Sequence, residues 1–151
     1  MNFSKYLLLT GLLLTASVFA ETSKDGPLEV TVYRSPTCGC CGKWVAHLQQ
    51  NHIQVKDIVT DDIDHIKAQY GVPKNLASCH TALVNGYVVE GHVPAADIKK
   101  LIRIKPNVVG LAVPGMVTGS PGMEMGGKKD PYKVIAFDGE GKYKVFSSHE
   151  D

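Results

Sequence analysis

The sequence has no surplus of either charge, no repeat, no low-complexity tract and no apolar run long enough to cross a membrane. Sixteen Lys and Arg stand against fifteen Asp and Glu, so no basic surface draws the chain to nucleic acid or to an anionic membrane. The absence of self-similarity or compositional bias excludes a solenoid or a disordered chain and leaves one domain with room for a core. The longest apolar stretch, Tyr6 to Phe19, falls short of the roughly 18–20 residues a membrane span needs. With Lys5 before it and Val18-Phe19-Ala20 offering small residues at the cleavage positions, it reads as an export leader over residues 1–20. Cleavage after Ala20 removes one lysine and no acid, which leaves fifteen of each sign and a neutral mature chain. Its partners are then small, or are met through a local patch. Periplasmic export, with no membrane span after leader cleavage, is the expectation.

Cysteine is scarce too, at four residues, but its distribution is uneven. Cys38, Cys40 and Cys41 fall within four positions, and Cys79 stands alone in Ala77-Ser78-Cys79-His80-Thr81. The surrounding pattern says where these groups lie. Residues 21–26 are polar and read as a frayed tail. Leu28 to Tyr33 alternates as a strand, and Ser35-Pro36 ends it. Cys41, Trp44, Val45 and Leu48 share one face of a helix expected from Cys40 or Cys41 to Asn51, which places the cysteine trio at a helix N-terminus, where the dipole favours thiolates. Trp44 is expected in the core beneath the trio. A second strand follows over Gln54–Val59. Thr60-Asp61-Asp62 then caps a helix carrying Ile63, Ile66 and Tyr70, which Gly71 stops.

Thr81–Val84 and Tyr87–Val89 flank Asn85-Gly86, a strong hairpin signal. Ile98, Leu101 and Ile102 form a helical stripe between Pro94 and Pro106. From Asn107 to Gly127 the chain is rich in Gly, Pro and Met without a period and reads as loop. Tyr132–Phe137 and Lys142–Phe146, joined by Asp138-Gly-Glu-Gly141, read as a second hairpin, which is marginal alone and so packs on the core.

Over residues 27–105 the order strand, helix, strand, helix, hairpin, helix resembles the thioredoxin fold, and more closely its glutaredoxin version: an α/β (α+β) mixed sheet with flanking helices. In that fold a Cys-x-x-Cys motif lies where Cys38 and Cys41 stand, and a second loop meets it where Cys79-His80 stands. Residues 106–151 would be an extension of the same domain, its Met-rich loop held at both ends.

Three chemistries suit the sulfurs. Structural disulfides are the ordinary outcome of export. Cys40 and Cys41 are adjacent and bond poorly to each other, so Cys38–Cys41 is the reasonable pair, with Cys40 left to Cys79. Such a short loop gains little entropy on closure, however. A thiol–disulfide oxidoreductase would use Cys38 as nucleophile and Cys41 as resolving thiol. Against this, Cys40 competes inside the motif, and Cys79-His80 stands where thioredoxin-like proteins carry a cis-proline that keeps metals away. The third is a soft metal. Several thiolates with thioethers nearby suit Cu(I) before Zn(II), and thiolates so closely spaced can bridge several ions.

Met123-Glu-Met125, flanked by glycines, is unlike a core run, and at least one of its thioethers is expected at the metal. For Met116, between Val113 and Val117, core and ligand readings stay open. His80 could bind metal or orient a ligand. His47, His52, His65, His92 and His149 read as solvated.

Taken together, Pro36-Thr-Cys38-Gly-Cys40-Cys41, Ser78-Cys79-His80-Thr81, Gly91-His92-Val93-Pro94 and Gly119-Ser-Pro-Gly-Met123-Glu-Met125 resemble the CopG-like family of periplasmic copper-resistance proteins over nearly the whole chain. The resemblance implies a thioredoxin-like fold with a cysteine-bridged copper cluster on Cys38, Cys40, Cys41 and Cys79. It also implies a copper oxidoreductase role interconverting Cu(I) and Cu(II). Copper efflux or oxidase components would be the protein partners.

Overall fold

The structure, a computed structural model, describes residues 26–150; the leader expected over residues 1–20, and nearly all of the expected tail, lie outside them. Among the described residues there are seven strands and three α-helices, in an α+β fold built on one mixed sheet. The order along the chain is β1 (Glu29–Arg34), α1 (Gly39–Gln50), β2 (Gln54–Val59), α2 (Ile63–Gln69), a 3-10 turn (Lys74–Leu76), β3 (His80–Val84), β4 (Tyr87–Glu90), α3 (Ala95–Ile104), β5 (Gly110–Ala112), β6 (Tyr132–Phe137) and β7 (Tyr143–His149). Across the sheet the order is β2-β1-β3-β4-β5-β6-β7.

β1 buries Val30 and Val32 completely on alternate positions, as a half-covered strand must. Its partner β2 is parallel, so the chain has to cross over, and α1 is that crossover. Cys41, Trp44, Val45 and Leu48 form the buried face of α1, at helical spacing. β2 is an edge strand with little buried surface. Asp57 on it takes a two-pronged bond from Arg34, with both contacts at 2.8 Å. The expected cap of α2 takes another form: Asp62 makes no side-chain capping bond, and its own N–H donates to Thr60 Oγ1 at 3.1 Å.

The β3–β4 hairpin turns at Asn85 (φ 46°) and Gly86 (φ 84°), both left-handed, as a two-residue turn of primed type requires. α3 buries Ala95, Ile98 and Leu101 and ends at Lys105 in the left-handed region (φ 45°), just before Pro106.

β5 corrects the sequence reading, in which residues 107–127 are loop throughout. Three residues of that stretch pair with β4 on one side and β6 on the other. A Cβ on Gly110 would stand 2.0 Å from the Val88 carbonyl oxygen, so the close strand approach needs glycine. That glycine also erases the strand signal. Through β5 the C-terminal hairpin continues the sheet sideways rather than packing on a finished core.

Side chains alternate between two covered faces. Val89 and Leu111 join the main core with Trp44, Leu48, Ile98 and Leu101. Their neighbours Val88 and Ala112 join Val72, Leu76 and Phe137 on the other side.

Candidate metal centre

Cys38 sits at the N-cap position of α1 and makes no side-chain capping bond, and Cys40 and Cys41 occupy the first turn. Cys41 is buried, while Cys38, Cys40 and Cys79 are half-buried. Strand pairing delivers the fourth sulfur. β1 and β3 run antiparallel with Arg34 opposite His80, so the residue before β3 lies beside the loop that follows β1. The four sulfurs all lie within 4.8 Å of one another. Cys38 and Cys41 are joined as a disulfide, and Cys40 and Cys79 are free thiols. Cys40 Sγ is 3.5 Å from Cys38 Sγ and 4.0 Å from Cys79 Sγ. The first of the two disulfide pairings weighed from the sequence is therefore present and the second is not.

His92 corrects the sequence reading outright. It is completely buried, with Nε2 at 2.9 Å from Cys79 Sγ and Nδ1 at 2.7 Å from the Pro121 carbonyl oxygen. A carbonyl only accepts, so Nδ1 carries the proton and Nε2 turns its lone pair to the Cys79 thiol. The hairpin already held the signal. A two-residue turn at Asn85-Gly86 pairs Val84 with Tyr87 and Thr81 with Glu90; counting two steps further sets Cys79 opposite His92. His47 and His149 are not simply solvated either. His47 Nε2 accepts the Ala95 N–H at 3.1 Å, and His149 lies 2.8 Å from Asp97 Oδ2. His52 and His65 are exposed, as read.

His80 is also fully buried, and neither ring nitrogen has a hydrogen-bond partner. It packs on Trp44, with ring centres 4.3 Å apart, and on His92 at 5.0 Å. Trp44 is the buried floor expected of it and donates its indole N–H to the Val93 carbonyl at 2.9 Å. Donor atoms of Cys79, His80 and His92 lie within 4.8 Å of one another, so Cys79 belongs to both donor groups. Unpaired buried nitrogens are costly, and a cation is one partner that would satisfy the nitrogen carrying the lone pair, the other being an N–H donor.

Burial pushes the Cys79 thiol up to about 11, against an opposing hydrogen bond from Ser78. Burial likewise holds His80 well below its usual value, helped by His92 and Lys67, and holds His92 below its own despite the Pro121 carbonyl. In the metal-free protein these groups are thus neutral, and a metal ion would displace the thiol proton.

The Met-rich loop folds back onto this site. Ser78 Oγ donates to the Gly115 carbonyl, and Pro121 receives His92. A Cβ on Gly122 would lie 2.7 Å from the Trp44 nitrogen and 3.0 Å from the Cys40 carbonyl oxygen, so the loop backbone rests on the first turn of α1. Met123 follows, half-buried. Met116 and Met125 are exposed, at 60% and 61%, so the two thioethers of Met123-Glu-Met125 differ in environment.

A family profile described as "Protein of unknown function, DUF411" matches residues 76–123, the stretch from the Cys79 loop to Met123. No curated protein matches. Two solved structures do, titled "Copper resistance protein copG- Form 2" and "Copper resistance protein copG- Form 1". Each is 46% identical to this chain with a TM-score of 0.79. The matches cover 82% and 83% of this chain and 99% and 100% of those chains. Identity at that level over essentially the whole of both relatives places this chain in the CopG copper-resistance protein family.

Proposed function

We propose that the mature chain is a periplasmic Cu(I)-binding protein of copper resistance, exported by the leader at residues 1–20, with copper as its cargo. One observation carries this reading: sulfurs from the start of α1 and from the distant loop before β3 meet within 4.8 Å of one another. Thiolate and imidazole donors so closely set suit Cu(I) better than harder ions. Cys38, Cys40, Cys41 and Cys79 would hold the metal, bridging several ions, with His80 at its edge and thioethers from Met123, Met125 and Met116 on the outer side. Reduction of the Cys38–Cys41 disulfide takes two electrons and frees two thiols. In reverse, oxidation of the two thiols to the disulfide would release two protons to solvent and two electrons that reduce two Cu(II) to two Cu(I), leaving Cys40 and Cys79 as the free thiols. Copper efflux or oxidase components would receive the metal.

Titration of the reduced mature protein with Cu(I) against a competing chelator should register several ions per chain; no uptake would remove the reading. The Cys38–Cys41 disulfide favours a second reading, a thiol–disulfide oxidoreductase. Cys40→Ser separates the two, since it should lower copper uptake and spare dithiol exchange. Robust insulin reduction by the metal-free protein, lost with Cys38→Ser, would favour the second.

A further inference from the structure

Glu90 is completely buried, and the side chain of Lys67, which pairs with it at 2.5 Å, is only 12% exposed. A buried ion pair is weak evidence of stabilisation, because an apolar pair of similar volume is often as good or better. What else this carboxylate holds is therefore informative. Oε1 accepts the Ser78 N–H at 2.6 Å, and Oε2 accepts the Thr81 hydroxyl at 2.6 Å. Lys67 also reaches Thr81 Oγ1 at 3.0 Å.

Ser78 lies in the short segment between the 3-10 turn and β3, where the ladder has not yet begun. Its amide is tied to a charged side chain, a stronger bond than a neutral one. The neighbouring geometry depends on the same anchor. Glu90 is followed by Gly91 (φ +71°), where a Cβ would stand 2.5 Å from Ser78 Oγ and 2.7 Å from the Val113 carbonyl oxygen. His92, next along, touches Cys79 Sγ. The tripeptide Glu90-Gly91-His92 therefore grips Ser78-Cys79 by its amide, its hydroxyl side and its sulfur.

We infer that Glu90, held by Lys67, is a positioning residue that keeps Cys79 at the sulfur cluster through the Ser78 amide. The inference rests on the copper reading for its consequence and on the Ser78–Glu90 bond for its cause. Loss of the carboxylate frees the Cys79 loop while the rest of the sheet stays paired.

Two double variants test this. Lys67→Met/Glu90→Gln keeps an oxygen for the Ser78 N–H and should bind Cu(I) within about threefold of wild type under chelator competition, where tenfold is about 1.4 kcal/mol. Lys67→Met/Glu90→Leu keeps an apolar filling but strips the Ser78 amide and the Thr81 hydroxyl of their acceptor; it should melt lower, stay folded by circular dichroism at the assay temperature, and bind Cu(I) about tenfold or more weakly. In a Cys79→Ser background the second pair should cost nothing further, because coupling vanishes once the positioned group is gone. Wild-type affinity in Lys67→Met/Glu90→Leu, or an undiminished loss in the Cys79→Ser background, overturns the inference.

Amide exchange of the wild-type protein supplies an arm that needs neither a folded variant nor copper. The Ser78 N–H should exchange at least tenfold more slowly than exposed loop amides, and rapid exchange there overturns the tether. Absence of copper uptake by wild type would remove the copper reading and leave this arm to judge the anchor.

Discussion

At the scale of single residues, three histidines placed under cover dominate the behaviour of the metal-free protein. His47, His80 and His92 are all held below their usual value, with burial the leading cause each time. In the unfolded chain such imidazoles protonate near pH ~6.5, whereas in the folded chain they stay neutral to lower pH. The unfolded chain therefore binds the extra protons, so stability is fully present above about pH 6.5 and falls as the pH drops below it. Thermal melts of chelator-treated protein should show the midpoint falling from pH 7 to pH 5; a flat profile would contradict the burial of these rings. From the sequence His47 and His92 read as solvated, because a local window shows only each histidine's immediate neighbours. Burial here comes from elements packed across the sheet, which no local window contains.

Among elements, the decisive contact is between the Met-rich loop and the first turn of α1. Gly122 (φ +84°) makes that contact against Trp44 and Cys40, while Gly126 (φ +63°) has nothing within 4 Å of a built Cβ. Alanine at Gly126 should cost only the left-handed backbone strain, about 1–2 kcal/mol. Alanine at Gly122 adds a collision with helix backbone. It should cost more in urea denaturation and should weaken Cu(I) binding about tenfold by lifting the loop. Equal costs at the two sites would show that the loop does not rest on α1. Most elements were legible beforehand, since α1, β2 and the Asn85-Gly86 hairpin have clean periods and strong turn residues. β5 was not, because a three-residue strand that includes a glycine has no period to read.

For the whole molecule, continuity of the sheet through β5 makes the C-terminal hairpin part of the fold. β6 contributes Val134, Ala136 and Phe137, each no more than 1% exposed. Burial of one large apolar side chain stabilises by roughly 1.5–3 kcal/mol, and a domain's total margin is only about 5–15 kcal/mol. A chain ending at residue 130 should therefore lose its cooperative melt, followed by circular dichroism, instead of surviving as a stable 27–105 unit. A near-native transition in that truncated chain would show that the hairpin is dispensable.

Spacing along the chain determined by itself the helix that starts at the cysteine trio, the alternating strands, the hairpin turn and the soft-donor chemistry of the four sulfurs, because each depends on neighbours a few positions away. Tertiary structure alone decided that Cys79 arrives beside Cys40, that His92, just past β4, is buried, that His80 is shut between two rings, and that the buried Glu90 carboxylate accepts the Ser78 amide. Those are meetings of residues from different elements and the loops beside them, and packing between elements, not local preference, sets which side chains meet.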